Sequence, residues 1–441
     1  MEGIDPVDAR GGAEYVALLR RRREVAGLSY RQLARRAGEL GDALPPSTTA
    51  TMLCRTTLPT GKLVATFVRA CGGDEDEITG WLAARTRLLT AGPADPVPEP
   101  PAAPGPPRQL PARPAVLVGR GRELAALDAA AGADSALLVV TGPPGVGKTT
   151  LAVAWAHRVR TRFPGGQLYL DLDGDPHAAS APAHLLVGLG VPATAVPGDV
   201  RQAAALFRSA VADRRVLVVL DNAVSADQVR LLRPAGPGSC TVVTSRDRLT
   251  SAAVHDGGQV VEVPPLDRGD AIRLVARAAG DRVVAAELTA VAALVELCDG
   301  LPLALRVAVT ALDRRVESPV ADLVAEMRGS GPLATLETRS DVSVAACFQR
   351  SYDGLDTVAR RLFGLFGTSA PTTITAPVAA AALDLDPTRA RTSLRDLALG
   401  HLVVPVGADG YTMPGLLREY SRSREPVAAP AEPGPADDAA A

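Results

Sequence analysis

The sequence predicts a multidomain α/β protein on three observations. Between about residues 115 and 265, short apolar β-branched runs alternate with helical segments, an order that implies a parallel sheet with helices on both faces. The first 90 or so residues show helical spacing and no strand pattern. Between these regions lies Ala91–Pro114, in which 10 of 24 residues are proline. Proline fixes φ and removes a backbone donor, so this stretch is expected to stay outside helix and sheet as a stiff spacer reaching up to about 70 Å.

Composition narrows the field. The 441 residues are 47% apolar and 22% charged, with a formal net charge of −2, which excludes a uniformly basic polymer binder. Aromatics are only 3%, so the cores must be built from Ala, Leu and Val. The five cysteines (Cys54, Cys71, Cys240, Cys298, Cys347) are scattered without CxxC spacing, so neither a disulfide framework nor a zinc knuckle is expected. No apolar run approaches membrane-spanning length. The amino terminus lacks a basic stretch followed by an apolar one, and a cytoplasmic protein is expected.

In chain order, Tyr15, Val16, Leu18 and Leu19 open a first helix that runs through Arg20–Arg23 to a stop at Gly27. Ser29 is placed to cap a second helix ending at Gly38, and Ser47 a third. Two more helices carry Leu63, Phe67 and Val68, then Ile78, Trp81, Leu82 and Leu88. Strands are expected at Ala136–Thr141, Gln167–Leu172, Val216–Leu220, Thr241–Thr244 and Val260–Val263. From about Leu266 the strands stop and helices follow. A last mixed piece has a hairpin-like pair around Gly407–Gly410. The expected divisions are 1–90, the spacer 91–114, a sheet domain 115–265, a helical subdomain 266–336, a mixed subdomain 337–424 and a disordered tail 425–441.

The chemistry concentrates after the first strand. Gly142-Pro-Pro-Gly-Val-Gly-Lys-Thr149 fits the phosphate-binding loop, or P-loop, G-x-x-x-x-G-K-[ST]. Its glycines (Gly142, Gly145, Gly147), with Pro143 and Val146 between them, let successive N–H groups turn inward on phosphates. The helix N-terminus that follows, through Thr150, adds its dipole. Lys148 is expected at the β- and γ-phosphates and the Thr149 hydroxyl on Mg2+, with ATP or ADP as the cofactor. Val216–Leu220 ends in Asp221, a carboxylate for the metal shell at the sheet's carboxyl edge. The next residue, Asn222, cannot take a proton from water, so turnover is expected to be slow at most. Arg246 ends the following strand on the same edge, where it can sense the γ-phosphate or be an ordinary loop arginine.

Leu117–Leu127 (LVGRGRELAAL), GPPGVGKTTLA, VLVVLDNA, TVVTSRDRL and Cys298–Leu305 (CDGLPLAL) occur in this order. Together they resemble the NB-ARC branch of the STAND nucleotide switches, in particular bacterial antibiotic-pathway regulators, over about Val116 to Ser421. The resemblance implies that Val118 and Arg120 line the nucleotide pocket, that Arg246 is the sensor, and that Pro302 packs on the adenine. It also implies that residues 337–424 form a winged-helix subdomain. The family's Met-His-Asp motif falls on Met413-Pro414-Gly415. In relatives that histidine holds the ADP β-phosphate, so this latch does not carry over to Pro414.

From Arg10 to Arg69 there are 11 Arg and Lys against Glu14, Glu24, Glu39 and Asp42. The pattern GLSYRQLARRAG with the helix after it resembles a helix-turn-helix of the Xre/Cro type, which lays its second helix in the DNA major groove. Arg20, Arg21, Arg22, Arg23, Arg31, Arg35 and Arg36 are then expected phosphate contacts, and Ser47, Thr48, Thr51 and Arg55 candidates near base edges. A basic face on a protein-binding module is the alternative. The function expected is an ATP/ADP-switched transcriptional regulator that self-associates on activation. A nucleotide-dependent scaffold and a working ATPase are the other readings.

Overall fold

The computed structural model describes residues 6–9, 11–54, 57–90, 105–132, 136–172, 180–312, 318–340, 342–369 and 372–424. The chain divides into two compact units, Met1–Ala103 and Pro104–Ala441. The expected spacer up to 104, the tail 425–441 and Arg55 lie outside the described residues, as do the side chains of Arg31, Ser47 and Thr51.

The first unit is all helical: α1 (Gly12–Val25), α2 (Tyr30–Glu39), α3 (Pro46–Cys54), α4 (Gly61–Ala70) and α5 (Glu75–Thr90). Its core gathers Tyr15, Leu19, Leu33, Val64, Phe67 and Trp81, all fully buried. The Tyr15 hydroxyl donates to the Trp81 carbonyl at 2.7 Å and the two rings meet edge to face at 5.3 Å. Ser29 caps α2 in a reciprocal capping box with Gln32.

Two expectations for this unit are corrected. Helix α2 does not end at Gly38. Gly41, at φ +81°, ends it, because the Asp42 N–H reaches the Ala37 carbonyl and the Gly41 N–H the Gly38 carbonyl, the paired bonds that need a left-handed residue between them. Helix α3 starts at Pro46 rather than after Ser47, because proline's fixed φ and missing N–H suit the first helical position.

The second unit is built on five parallel strands, β1 (Ala136–Thr141), β2 (Gly166–Asp171), β3 (Val216–Ala223), β4 (Cys240–Ser245) and β5 (Gln259–Glu262), in the order β2-β3-β4-β1-β5. Both faces are covered, which is why the strands read as unbroken apolar runs. Leu138, Val140, Leu217, Val219 and Val242 pack on one side and Leu137, Val139, Val216, Val218 and Val243 on the other. The flanking helices are α6 (Gly121–Ala130), α7 (Lys148–Val159), α8 (Ala181–Gly188), α9 (Val200–Val211), α10 (Ala226–Leu232) and α11 (Thr250–Asp256).

The spacer is also corrected at its far end. Residues 107–109 lie along the sheet edge, where Gln167 donates to the Pro107 carbonyl at 2.7 Å and Gln109 donates to the Gln167 carbonyl at 2.9 Å. Proline is tolerated there because an edge segment needs only alternate donors, and Gln109 supplies one.

Six helices follow: α12 (Arg268–Ala279), α13 (Asp281–Ala286), α14 (Leu288–Leu297), α15 (Pro302–Thr310), α16 (Pro319–Ser330) and α17 (Pro332–Arg339). Helix α17 runs across the division expected at 336. The last piece holds α18 (Val344–Asp353), α19 (Thr357–Thr368), β6 (Thr373–Thr375), α20 (Ala376–Leu383), α21 (Pro387–Leu399), β7 (Val404–Val406), β8 (Gly410–Thr412) and α22 (Gly415–Arg422). The expected hairpin is β7–β8, and β6 joins it as a third antiparallel strand in the order β6-β8-β7. Glu419 on α22 ties this piece to the one before it, accepting from the Leu333 and Ala334 N–H groups at the start of α17.

Candidate nucleotide-binding site

Strand β1 ends at Thr141, and Gly142–Gly147 turns the chain into α7. Gly145 and Gly147 take φ +78° and +94°, conformations that L side chains resist. A Cβ on Gly142 would press on the Val263 carbonyl oxygen. Lys148 opens α7, 8% exposed, its Nζ donating to the carbonyls of Gly142 at 2.9 Å and Pro143 at 3.0 Å. Burial pushes its pKa down to about 7, and the nearby Arg246 cation adds to the shift, while Asp221 opposes it.

The Thr149 hydroxyl donates to Asp221 Oδ1 at 2.9 Å, although 72 residues separate the two. The sheet order explains this meeting. Strand β4 lies between β1 and β3, and all three end on the same edge, so the start of α7 hangs over the end of β3. Asp221 is 3% exposed and also accepts from the hydroxyls of Thr244, on β4, and Tyr169, on β2, the latter at 3.0 Å. Burial and the neighbouring Asp221 carboxylate raise the Tyr169 phenol well above its ordinary pKa. Sequence reading missed both hydroxyls, since nothing in their spacing marks them; only strand order brings them to Asp221. Asn222 sits at φ +58° where β3 and β4 shift register, and its amide donates to Asp171 at 2.9 Å.

A cavity of about 660 Å³ opens over this loop, lined by Lys148, Thr149, Thr150, Arg246 and Pro302 among others. Helix α15 is fastened to the loop, its Leu303 N–H donating to the Gly145 carbonyl at 3.2 Å. Two further cations reach the same cavity, Arg306 from α15 and Arg350 from α18. Neither was singled out from sequence, because both sit among many arginines.

Other expected residues lie elsewhere. Val118 and Arg120 do not line this cavity. Val118 packs on the core. Arg120, 5% exposed, donates to the Pro264 carbonyl at 2.9 Å and the Val146 carbonyl at 3.1 Å, so it props the loop from behind. Pro414 lines a separate cavity of about 400 Å³ with Asp299 and His401. Asp299 accepts from the Gly415 and Leu416 N–H groups at 3.1 and 2.7 Å, so the carboxylate at the start of α22 comes from the α14–α15 loop. A histidine also reaches the loop's strand: His401 Nε2 lies 2.8 Å from Thr141 Oγ1.

The basic residues of the first unit divide as well. Arg22, expected as a phosphate contact, has a carboxylate partner. It is paired with Glu77 at 2.6 and 3.0 Å, its side chain 15% exposed, because the acidic start of α5 packs there. Arg20 donates to the Leu53 carbonyl and Arg23 lies 4.6 Å over the Tyr30 ring. Arg21, Arg35, Arg36 and Thr48 are exposed.

No family model matches the chain. It is 36% identical over 325 residues to the regulatory protein AfsR of Streptomyces griseus and 35% identical over 333 residues to AfsR of Streptomyces coelicolor. Each match covers 72% of this chain and 33% of the relative, so the chain spans about a third of the length of the curated relatives it matches. Among solved structures it is similar to a Walker-type ATPase of Pyrococcus abyssi, at 14% identity and TM-score 0.46, over 69% of this chain and 96% of that one. It is also similar to the ORC2 protein of Aeropyrum pernix in ADPNP–ADP complexes, at 15% identity and TM-score 0.46, over 71% and 95%. A parallel sheet, a glycine loop closed by lysine and threonine, and a carboxylate two strands away thus give this chain the layout of a phosphate-binding-loop α/β fold, similar in sequence to about one third of the AfsR regulatory proteins.

Proposed function

We propose that the chain is a nucleotide-switched transcriptional regulator of the NB-ARC/STAND kind, binding ATP or ADP with Mg2+ at the P-loop and contacting DNA through its first unit. The observation that carries the nucleotide half is the Thr149–Asp221 hydrogen bond beneath a cavity lined by cations. The loop N–H groups would take the phosphates, and Lys148 would regain a full proton as the anion arrives. Thr149 and Asp221 would hold the ion. Held there, a magnesium ion would supply charge neutralisation for the phosphates.

Asn222 stands where a carboxylate would take the attacking water's proton, and its amide is turned to Asp171. Slow turnover suits a switch rather than a motor. The likeness to AfsR supports a regulatory role, and no helix among the described residues is long and apolar enough to cross a membrane. Self-association, the winged-helix reading of residues 337–424 and a cytoplasmic setting belong to the same proposal.

For DNA, α2 and α3 would form the helix-turn-helix, with exposed Arg21, Arg35 and Arg36 on phosphates. The pairing of Arg22 with Glu77 favours the second reading, a protein-binding module, because it takes one cation out of the patch. Titrating the full chain onto duplex DNA at several salt concentrations separates the two. Phosphate contacts give an affinity that falls steeply with salt and is lost when Arg21, Arg35 and Arg36 become glutamate. Absence of binding at low salt would favour the protein-binding module.

A further inference from the structure

The wall of the P-loop cavity carries four cationic side chains, Lys148, Arg246, Arg306 and Arg350, and no carboxylate lines it among the described residues. They come from four elements: the start of α7, the end of β4, α15 and α18. Some arginines of this chain are held by carboxylates, Arg22 by Glu77, Arg69 by Asp42 and Glu75, Arg230 by Asp256 and Arg389 by Asp356. Arg306 and Arg350 have no hydrogen bond or ion pair among the described residues. Cations that converge on one cavity attract an anion to it.

The two arginines stand at different ends of the cavity. Arg306 lies one turn beyond Pro302 on the same face of α15, on the helical side. Arg350 shares its part of the wall with Arg246 and Asn222, which also line the adjoining cavity of about 630 Å³. That is the side of the strand ends, where Asp221 and Thr149 would hold the ion. Cys347, one turn before Arg350 on α18, faces the same space, and its thiol feels Arg246, Arg350 and Lys148 together.

Resting on the nucleotide reading above, we infer that Arg350 contacts the terminal phosphate of a bound nucleoside triphosphate and so makes this site discriminate triphosphate from diphosphate. A charge-assisted bond from a guanidinium to a phosphate oxygen forms only when that phosphate is present. The contact joins α18, and with it the last subdomain, to the P-loop. A ligand shifts a conformational equilibrium only through such differential contacts. Arg350 is therefore the residue through which the third phosphate is felt outside the sheet domain.

Fluorescent ADP and a fluorescent non-hydrolysable triphosphate analogue, each titrated with Mg2+ onto the full chain, test this. In Arg350→Ala the triphosphate should bind about ten- to a hundredfold more weakly, as expected for losing a bond to a charged group. The diphosphate should change by less than about threefold, and Arg350→Lys should recover part of the loss. Arg350 is exposed, so its truncation opens no buried void, and Arg350→Gln reads the same contact if the alanine variant expresses poorly. Equal weakening of both nucleotides, or no change in either, would overturn the assignment while leaving the P-loop reading intact. A wild-type chain that binds neither nucleotide would overturn both.

Discussion

Lys148 shows how far a single residue could be read in advance and where reading stopped. Its place in G-x-x-x-x-G-K-[ST] announced its position at the end of the glycine loop, but its protonation depends on burial and on Arg246, a neighbour brought in by another strand. With an ordinary pKa near 10.5 lowered to about 7, the side chain is mostly neutral at pH 8 to 9. A bound polyphosphate favours the charged form. Binding at that pH should therefore take up close to one proton, and nucleotide affinity should decline as pH rises above about 7. Calorimetry at pH 8.5 in two buffers of different ionisation enthalpy measures the uptake. Equal heats in both would show that Lys148 does not change charge on binding. Asp221 was legible as a strand-end carboxylate. Its partners Thr244 and Tyr169 were not, because only the strand order reveals them.

At the scale of elements, the five strands of the sheet and most helices stood in the sequence, since apolar period and capping residues are local signals. What failed was also local, but subtler. The stop at Gly38 was wrong because a helix end is set by which glycine can turn left-handed with both paired bonds satisfied. The expected start of α3 after Ser47 failed because Pro46 already begins the helix, and the spacer failed at its far end because Pro107 accepts an edge bond. Across elements, Asp299 caps the start of α22 from the α14–α15 loop. Its pKa is raised by burial and held back by the two N–H groups it accepts. A Cβ on Gly415 would come within 3.2 Å of Asp299 Oδ1, so a second carboxylate introduced there would crowd a like charge. Asp299→Ala should cost about 1–2 kcal/mol, the usual loss for a helix cap, read as a lower denaturation midpoint. An unchanged midpoint would mean that α22 is not held by this carboxylate.

Across the whole second unit, the contacts joining the last subdomain to the rest of the unit could not be read from sequence, because they span 86 to 260 residues. His401, at φ +56°, carries the longest. The Thr141 hydroxyl donates onward to the Asp247 carbonyl at 3.1 Å, leaving its lone pairs for the imidazole. Burial lowers the His401 pKa to about 4, with Lys148 and Arg248 in the same direction and Glu262, 3.8 Å from Nδ1, against. The unfolded chain then binds more protons than the folded one between about pH 4 and 6.5. Stability should fall as pH drops through that window, by up to about 3 kcal/mol, and His401→Asn should flatten the decline. Denaturant midpoints from pH 4 to 7 decide it; parallel curves for the two proteins would remove His401 from that role.

Nucleotide occupancy at the P-loop decides whether this molecule is a switch at all. Native mass spectrometry of the full chain with Mg2+ and either ADP or ATP reads it directly. One nucleotide bound per chain, absent from a folded Lys148→Ala variant, is the predicted result. A wild-type chain that stays unliganded, or a variant that binds as well as wild type, would contradict it.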